Sequence, residues 1–422
     1  MTPKRLTLLC ACALFGLLGS SWAQDDTQSQ DSVQSVLAAL ANTPDFLELQ
    51  ATLQAAQAEL QRRRSPLSVA GEAEYRYDLD SEVAPVTAEG SLSYDPLIWG
   101  DDADELRRAG LRLELAELDY LQDLAELQNE TLLDVLRLGT LGQALEVRRL
   151  EVRLAAAAVR AAAAQLERGV LTPSGLREAE LALERARLAA RAADGDLSQL
   201  EAELSARLGE TFNLPIPQVE TPAGPSAARL RAEVARSLAA VELRSAERAL
   251  WPVVSAGYTQ GLGGGSSLGA SVDSGDLSPT LSFDYNPGDP DSSRLSVGVS
   301  ADFAPAEVSR IEAERRRLQA AELALSAAER DEGFARARLE RNLLRAAAER
   351  DLAAALLSAA EAALTEALER ASLGLTSPLD TLSAEVSLSL AALELRQADI
   401  DYLEAQLAFL PFSARPLGEV TP

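Results

Sequence analysis

Two stretches of this sequence, residues 101–168 and 306–370, contain no proline, and within them leucines recur at helical intervals. Leu111, Leu115, Leu118, Leu121, Leu124 and Leu127 set a period of three and four in the first, while Ile311, Leu318, Leu325 and Leu339 keep a seven-residue spacing in the second. The first pattern is an amphipathic helix and the second resembles coiled-coil packing. At ~1.5 Å rise per residue each stretch becomes a rod of roughly 100 Å, far longer than an ordinary globular helix. Gly110, Gly139 and Gly142 are where the first rod can bend. Rods of this length need partners along their apolar stripes, so a bundle or tube built from several chains is expected. Abundant Ala and Leu with only 4% aromatic residues suits such packing better than a compact α/β enzyme core.

Each rod is preceded by segments of period two. Residues 32–64 read as helix, broken near Pro44 and ended by Pro66. From Leu67 apolar and polar residues alternate, giving strands at about 67–78 and 86–95. After the first rod come the turn Gly169-Val170-Leu171-Thr172-Pro173, a return helix over 173–208 and a Pro- and Gly-rich linker over 209–225. The second half repeats the order: a helix over 227–250 ending at Trp251-Pro252, strands at about 253–262 and 294–303, the second rod, a turn, a return helix over 378–410 and a C-terminal tail. The two turns align without a gap, with Gly169 on Gly374, Pro173 on Pro378 and Ala179-Glu180 on Ala384-Glu385. Residues 24–225 and 226–422 therefore read as one structural unit written twice.

The N-terminus reads as a signal peptide over residues 1–23: Lys4 and Arg5, an apolar run from Leu6 to Leu18, then Ser21-Trp22-Ala23 as the cleavage site. Acylation at Cys12 would need an apolar region ending at Leu9, with Cys10 placed awkwardly beside it. Both cysteines lie inside the signal, so the mature chain carries no disulfide and no thiolate chemistry. No segment has the ~20 uninterrupted apolar residues of a membrane-spanning helix, so any membrane crossing has to be a β-barrel. A net charge of −26 argues against nucleic acid as a partner. There is no histidine, and no nucleophile and base or metal cluster is visible, so no catalytic site, cofactor or metal is expected. The many acidic residues stand beside arginines along helix faces, where solvated pairing between residues four apart is the default.

Two antiparallel strands of about ten residues can cross a bilayer at a tilt, and one apolar and one polar face is what a lipid-facing wall needs. Four strands per chain cannot close a barrel, for which about eight is the minimum, so several chains have to share one. Here the chain resembles the TolC-type outer-membrane efflux proteins over essentially its full mature length. The residues that carry the resemblance are Gly374-x-x-Ser377-x-x-Asp380-x-Leu382-x-Ala384-Glu385, its partial copy from Gly169 to Glu180, and strand pairs that lead into a long helix, as in Asp95-Pro96-Leu97-Ile98-Trp99-Gly100. The resemblance implies a mainly α chain with a small β part, two β-hairpins per chain, and a homotrimer whose twelve strands form an open barrel in outer-membrane lipid. It also implies a helical tube through the periplasm that meets an adaptor protein and an inner-membrane pump. The function implied is a passive exit duct for efflux or type I secretion. The alternative is an elongated coiled-coil tether of the cell envelope anchored by the β part.

In that family aspartates near the far end of the tube narrow the entrance, which points to Asp380. The same residue is also well placed to cap a helix, with Ser377 at N-cap, Pro378 at N1 and Asp380 at N3. Ser383 stands where the family has its second gate aspartate, and Gly175 stands at the position of Asp380 in the first copy. The family's adaptor-contact region corresponds to Val170, Leu171 and Thr172 at one turn and Leu375, Thr376 and Ser377 at the other; as bare sequence they read equally well as short helix connections, and Val170, Leu171 and Leu375, as apolar turn residues expected to be exposed, tip the balance slightly toward a contact. Trp99 and Trp251 fall at the helix-side end of the wall, where they can join an interfacial aromatic belt or simply pack at the strand-helix junction. The segment from Gly263 to Ser293 holds two further alternating runs, near Leu268 to Val272 and Leu281 to Tyr285, read as lengthening a hairpin above the membrane, with a plug or disorder as alternatives.

Overall fold

Hydroxyl residues followed by proline start three of the helices. Thr43, Thr172 and Ser377 each stand at N-cap in extended backbone, each accepts a hydrogen bond from a first-turn N–H, and each precedes a proline at the first helical position. The computed structural model describes residues 32–65, 67–75, 86–94, 100–263, 266–275, 279–285, 293–300 and 305–417. The signal region with Cys12, and Trp99, lie outside the described residues. In chain order the elements are α1 (Val33–Leu40), α2 (Pro44–Arg63), β1 (Leu67–Tyr75), β2 (Val86–Tyr94), α3 (Gly100–Glu167), α4 (Pro173–Leu208), α5 (Ala227–Arg248), β3 (Val253–Gly263), β4 (Ser266–Asp273), β5 (Thr280–Tyr285), β6 (Ser293–Ser300), α6 (Pro305–Ser372), α7 (Pro378–Leu407) and α8 (Phe409–Phe412).

The two rods are α3 and α6, each of 68 residues and so about 100 Å long. α4 returns along α3 and α7 along α6, while α5 lies against both rods near their sheet ends. The seven-residue series on α6 faces inward: Ile311 is buried and Leu318, Leu325 and Leu339 are half-buried. A second row on the same helix, Leu323, Phe334, Leu344 and Leu352, is exposed.

The hydrophobic core gathers partway along α3, where the chain segments are most numerous. Leu132, Val135 and Leu136 of α3 pack with Val36 and Leu40 of α1, Leu204 and Leu208 of α4, and Ile400, Leu403 and Leu407 of α7. The linker contributes Phe212, Leu214 and Val219, so this Pro-rich segment is part of the core rather than a loose connection. The return helix α7 stops at Leu407, short of residue 410. Pro411 has no N–H to give the Leu407 carbonyl, and Asn129 Nδ2 donates to that carbonyl at 2.9 Å instead. Leu417 N–H donates to Gln128 Oε1 at 2.8 Å, tying the C-terminal segment to the same stretch of α3.

Burial raises the Glu117 carboxyl above its usual range on α3, and the neighbouring Glu114 raises it further. A carboxyl whose folded pKa is raised penalises the folded state when ionised, and the penalty is relieved as pH falls through that folded value. Glu117→Gln is therefore expected to raise the melting temperature at pH 7. The gain over the parent chain should vanish as the pH is lowered toward 4, as read by thermal melts followed by circular dichroism.

All six strands form one antiparallel sheet in the order β1-β2-β5-β4-β3-β6. The two hairpins expected from the sequence are present as β1–β2 and β3–β6. The runs assigned to a lengthened hairpin are instead β4 and β5, a third hairpin inserted between β2 and β3. Its own turn lies at the helix-side end of the sheet: Ser274 N–H donates to the Val254 carbonyl at 2.8 Å and Tyr94 N–H to the Pro279 carbonyl at 3.1 Å. Both neighbouring strands thus find their missing backbone partners in the insertion, which holds it in the sheet plane.

Candidate functional site

Strand register decides which residues share a face, because side chains alternate with period two. Leu92 pairs with Leu281, Phe283 with Leu268, Ala270 with both Leu281 and Tyr258, Val272 with Ala256, Ala256 with Val297, and Val254 with Val299. These residues line up as one apolar face across β2, β5, β4, β3 and β6. The opposite face carries Ser91, Ser93, Ser282, Asp284, Ser267, Ser271, Ser255, Thr259 and Ser296. On β2 and β5 burial runs opposite to that of a water-soluble sheet. Leu281 and Phe283 are exposed while Ser282 and Asp284 on the other face are half-buried. A sheet with its apolar face outward toward solvent requires an apolar surrounding, and its small polar face suits contact with water.

The helix ends next to the sheet are fastened to each other by a buried ion pair. Arg248, at the end of α5, meets Asp104, in the first turns of α3, at 2.9 Å, and the Asp104 side chain is only 3% exposed. Arg248 also donates to the Gly100 carbonyl, and Ser245 Oγ donates to Asp101 Oδ1 at 3.4 Å. Arg108 pairs with Glu242 at 3.2 Å one turn further along. These partners are more than a hundred residues apart in sequence, so reading the charges as pairs within single helices missed them. Such local pairs are present too, as in Arg148 with Glu151 and Arg187 with Glu184. Trp251 follows α5 directly and is 56% exposed, with its N–H donating to the Arg248 carbonyl at 2.8 Å. It therefore stands at the sheet-helix junction with an indole open to its surroundings.

Because α3 and α6 both leave the sheet and are equally long, both turns lie at the opposite end of the molecule, about 100 Å away. The two turns are built alike. Gly169 (φ 74°) and Gly374 (φ 69°) end their helices in left-handed backbone. Val170 N–H reaches back to the Gln165 carbonyl and Leu375 N–H to the Arg370 carbonyl, both at 2.9 Å, which satisfies the carbonyls left free at each helix end. Val170 is 77% exposed, Leu375 73% and Leu373 72%. Leu373, just past the end of α6 and before the left-handed Gly374, was not singled out from the sequence. Leu171 departs from its expected exposure. It folds over Gly175, and a Cβ there would lie 2.8 Å from Leu171 Cδ1. The first copy thus uses at this position the space that a larger side chain would need.

Asp380 forms a full capping box with Ser377. Ser377 N–H and Oγ both lie 3.0 Å from Asp380 Oδ2, and Asp380 N–H donates to Ser377 Oγ at 3.3 Å. The carboxylate is exposed and its cap leaves it facing solvent. Ser383, one turn on, is exposed and its carbonyl accepts from Ser387 Oγ at 3.0 Å. Thr172 caps the other return helix, accepting from Gly175 N–H at 3.4 Å, and Thr376 Oγ1 donates to the Ala367 carbonyl at 3.4 Å. Ser377→Ala is expected to cost about 1 kcal/mol locally and to speed amide exchange in the first turn of α7 about fivefold, as read by hydrogen exchange.

Among the described residues no helix is long and apolar enough to cross a membrane, and no group of three or more acidic, His or Cys side chains could hold a metal ion. No family model and no curated protein matches the chain in sequence. Solved structures do match in fold. The outer membrane protein VceC from Vibrio cholerae aligns with a TM-score of 0.63 at 16% identity, covering 90% of this chain and 96% of VceC. The outer membrane channel CmeC of Campylobacter jejuni gives 0.58 at 14% identity, covering 96% and 95%. The open state of the Neisseria gonorrhoeae outer membrane channel MtrE gives 0.59 at 15% identity, covering 91% and 89%. The likeness is one of fold, and it extends over nearly the whole length of each chain.

Proposed function

We propose that this chain, which has the fold of the TolC-type outer-membrane channels, is one protomer of a channel-tunnel that serves as a passive exit duct. In this reading three copies assemble, their sheets form a barrel in outer-membrane lipid, and their rods form a tube through the periplasm. The tube's far end receives cargo from a periplasmic adaptor and an inner-membrane pump of an efflux or type I secretion system. The observation that carries the proposal is a sheet with one exposed apolar face and one small polar face, continuous with two rods of equal length. The exposed row on α6 and the exposed Leu181 and Leu188 on α4 supply apolar helix faces for neighbouring copies to cover. No part of the duct needs to supply energy or chemistry. Selectivity for cargo belongs to the pump.

Purified assembled protein added to a planar bilayer should give stepwise ion conduction. A folded oligomer that stays silent, even when Asp380→Ala removes the acidic side chain at the tip, would contradict the proposal. The exposed Val170, Leu373 and Leu375 are the expected adaptor contacts. Replacing all three with serine should abolish co-purification with the adaptor while conduction in a bilayer stays intact, since tips and wall are about 100 Å apart.

A further inference from the structure

We infer that the membrane wall built by this protein takes six strands from each chain, so that three copies close an eighteen-stranded barrel rather than one of twelve. The inference rests on the reading of the chain as a trimeric outer-membrane channel and changes the size of its pore. The third hairpin is part of the wall by three separate observations. It is hydrogen-bonded on both sides, β5 to β2 and β4 to β3. It reaches the helix-side end of the sheet, where Ser274 and Pro279 bond to Val254 and Tyr94. Its alternation is in phase with its neighbours, placing Leu268, Val272, Leu281 and Phe283 on the common apolar face. A plug or an external extension would satisfy none of these.

The sheet has open edges only at β1 and β6, and exposure marks them. Val69 on β1 is 75% exposed, and Leu295, Val297 and Val299 on β6 are 75%, 71% and 70% exposed. The interior strands are lower, with Leu281 at 44%, Phe283 at 42%, Val272 at 41% and Leu268 at 39%. β1 runs away from the helices and β6 toward them, so β6 of one copy meets β1 of the next in antiparallel fashion. An unpaired strand edge cannot remain in hydrocarbon, so each edge has to be closed by a second copy of this chain. Six strands are too few to close alone. With strands ~4.8 Å apart and tilted by about 40°, eighteen strands give a backbone diameter of about 36 Å, against about 24 Å for twelve.

The mature chain has no cysteine, so single cysteines can report each strand's surroundings. Val297→Cys, Leu268→Cys and Phe283→Cys, each carrying a polarity-sensitive fluorophore, are compared in liposomes containing nitroxide-labelled lipid. The inference predicts quenching at Leu268 and Phe283 as well as at Val297. Quenching at Val297 alone would overturn the six-strand wall while leaving the channel reading intact. Quenching at none of the three would overturn the channel reading itself. In parallel, Val69→Cys combined in turn with Leu295→Cys, Val297→Cys or Val299→Cys should yield an oxidised ladder ending at a trimer for one combination. A ladder ending at a dimer would overturn the count of eighteen.

Discussion

Leu92→Arg together with Val297→Arg is expected to abolish insertion of the assembled protein into membranes. Both side chains lie on the exposed apolar face, Leu92 on an interior strand and Val297 on an edge strand. An arginine on the lipid face near the bilayer midplane costs about 2–4 kcal/mol in a barrel, and two per chain are multiplied over every copy in the ring. Sedimentation of liposomes after reconstitution reads the result directly: the parent protein should float with lipid and the variant should pellet. The control is Ser91→Arg with Ser296→Arg, the same charge on the polar face, which should still insert. If both double variants floated with lipid, the assignment of faces would be wrong.

The second large effect is expected at the junction of sheet and rods. Asp104→Ala leaves Arg248 without the carboxylate it meets at 2.9 Å in a largely buried position. Removing one partner of a buried ion pair costs about 3–5 kcal/mol, and the lower end is expected here because Arg248 keeps the Gly100 carbonyl. The expected consequence is local release of α5 from the start of α3, with protease cleavage between α5 and β3, near Trp251, preceding any loss of the helical signal on heating. Replacing both partners by apolar residues, as in Asp104→Leu with Arg248→Met, should recover most of the loss, because no buried charge is left behind. A melting curve for Asp104→Ala indistinguishable from the parent's would show that the pair carries no weight at this junction.

The rods, the turns and the first two hairpins were legible in the sequence because each rests on local information. Helical period and the absence of proline define α3 and α6, and the Gly and Ser/Thr-Pro pairs at 169–173 and 374–378 mark where the chain turns back. The end of α7 was placed at residue 410, three residues too far: Pro411 denies a bond to the carbonyl four residues back, which is that of Leu407. Strand order is a different kind of fact. The runs at 268–272 and 281–285 alternate as clearly as their neighbours, but period alone does not say which edges they join, and the insertion between β2 and β3 brings together segments nearly two hundred residues apart. The same holds for Asp104 and Arg248, whose pairing depends on how α5 returns to α3. At the tip, Asp380 had two readings in the sequence, and the capping box gives it a stabilising role that coexists with an exposed carboxylate at the end of the rods. Leu171 looked exposed as a turn residue, yet the absence of a side chain at Gly175 gives it a place to fold.

The central claim is that several copies of this chain enclose one continuous aqueous passage, through the barrel and on between the rods. Axial density from electron microscopy of the purified assembly in lipid nanodiscs tests it most directly. The channel account predicts a hollow along the symmetry axis, wide within the membrane and continuing through the helical part to a narrowing near Asp380. A helical part packed solid along its axis, as a coiled-coil tether would be, would contradict it.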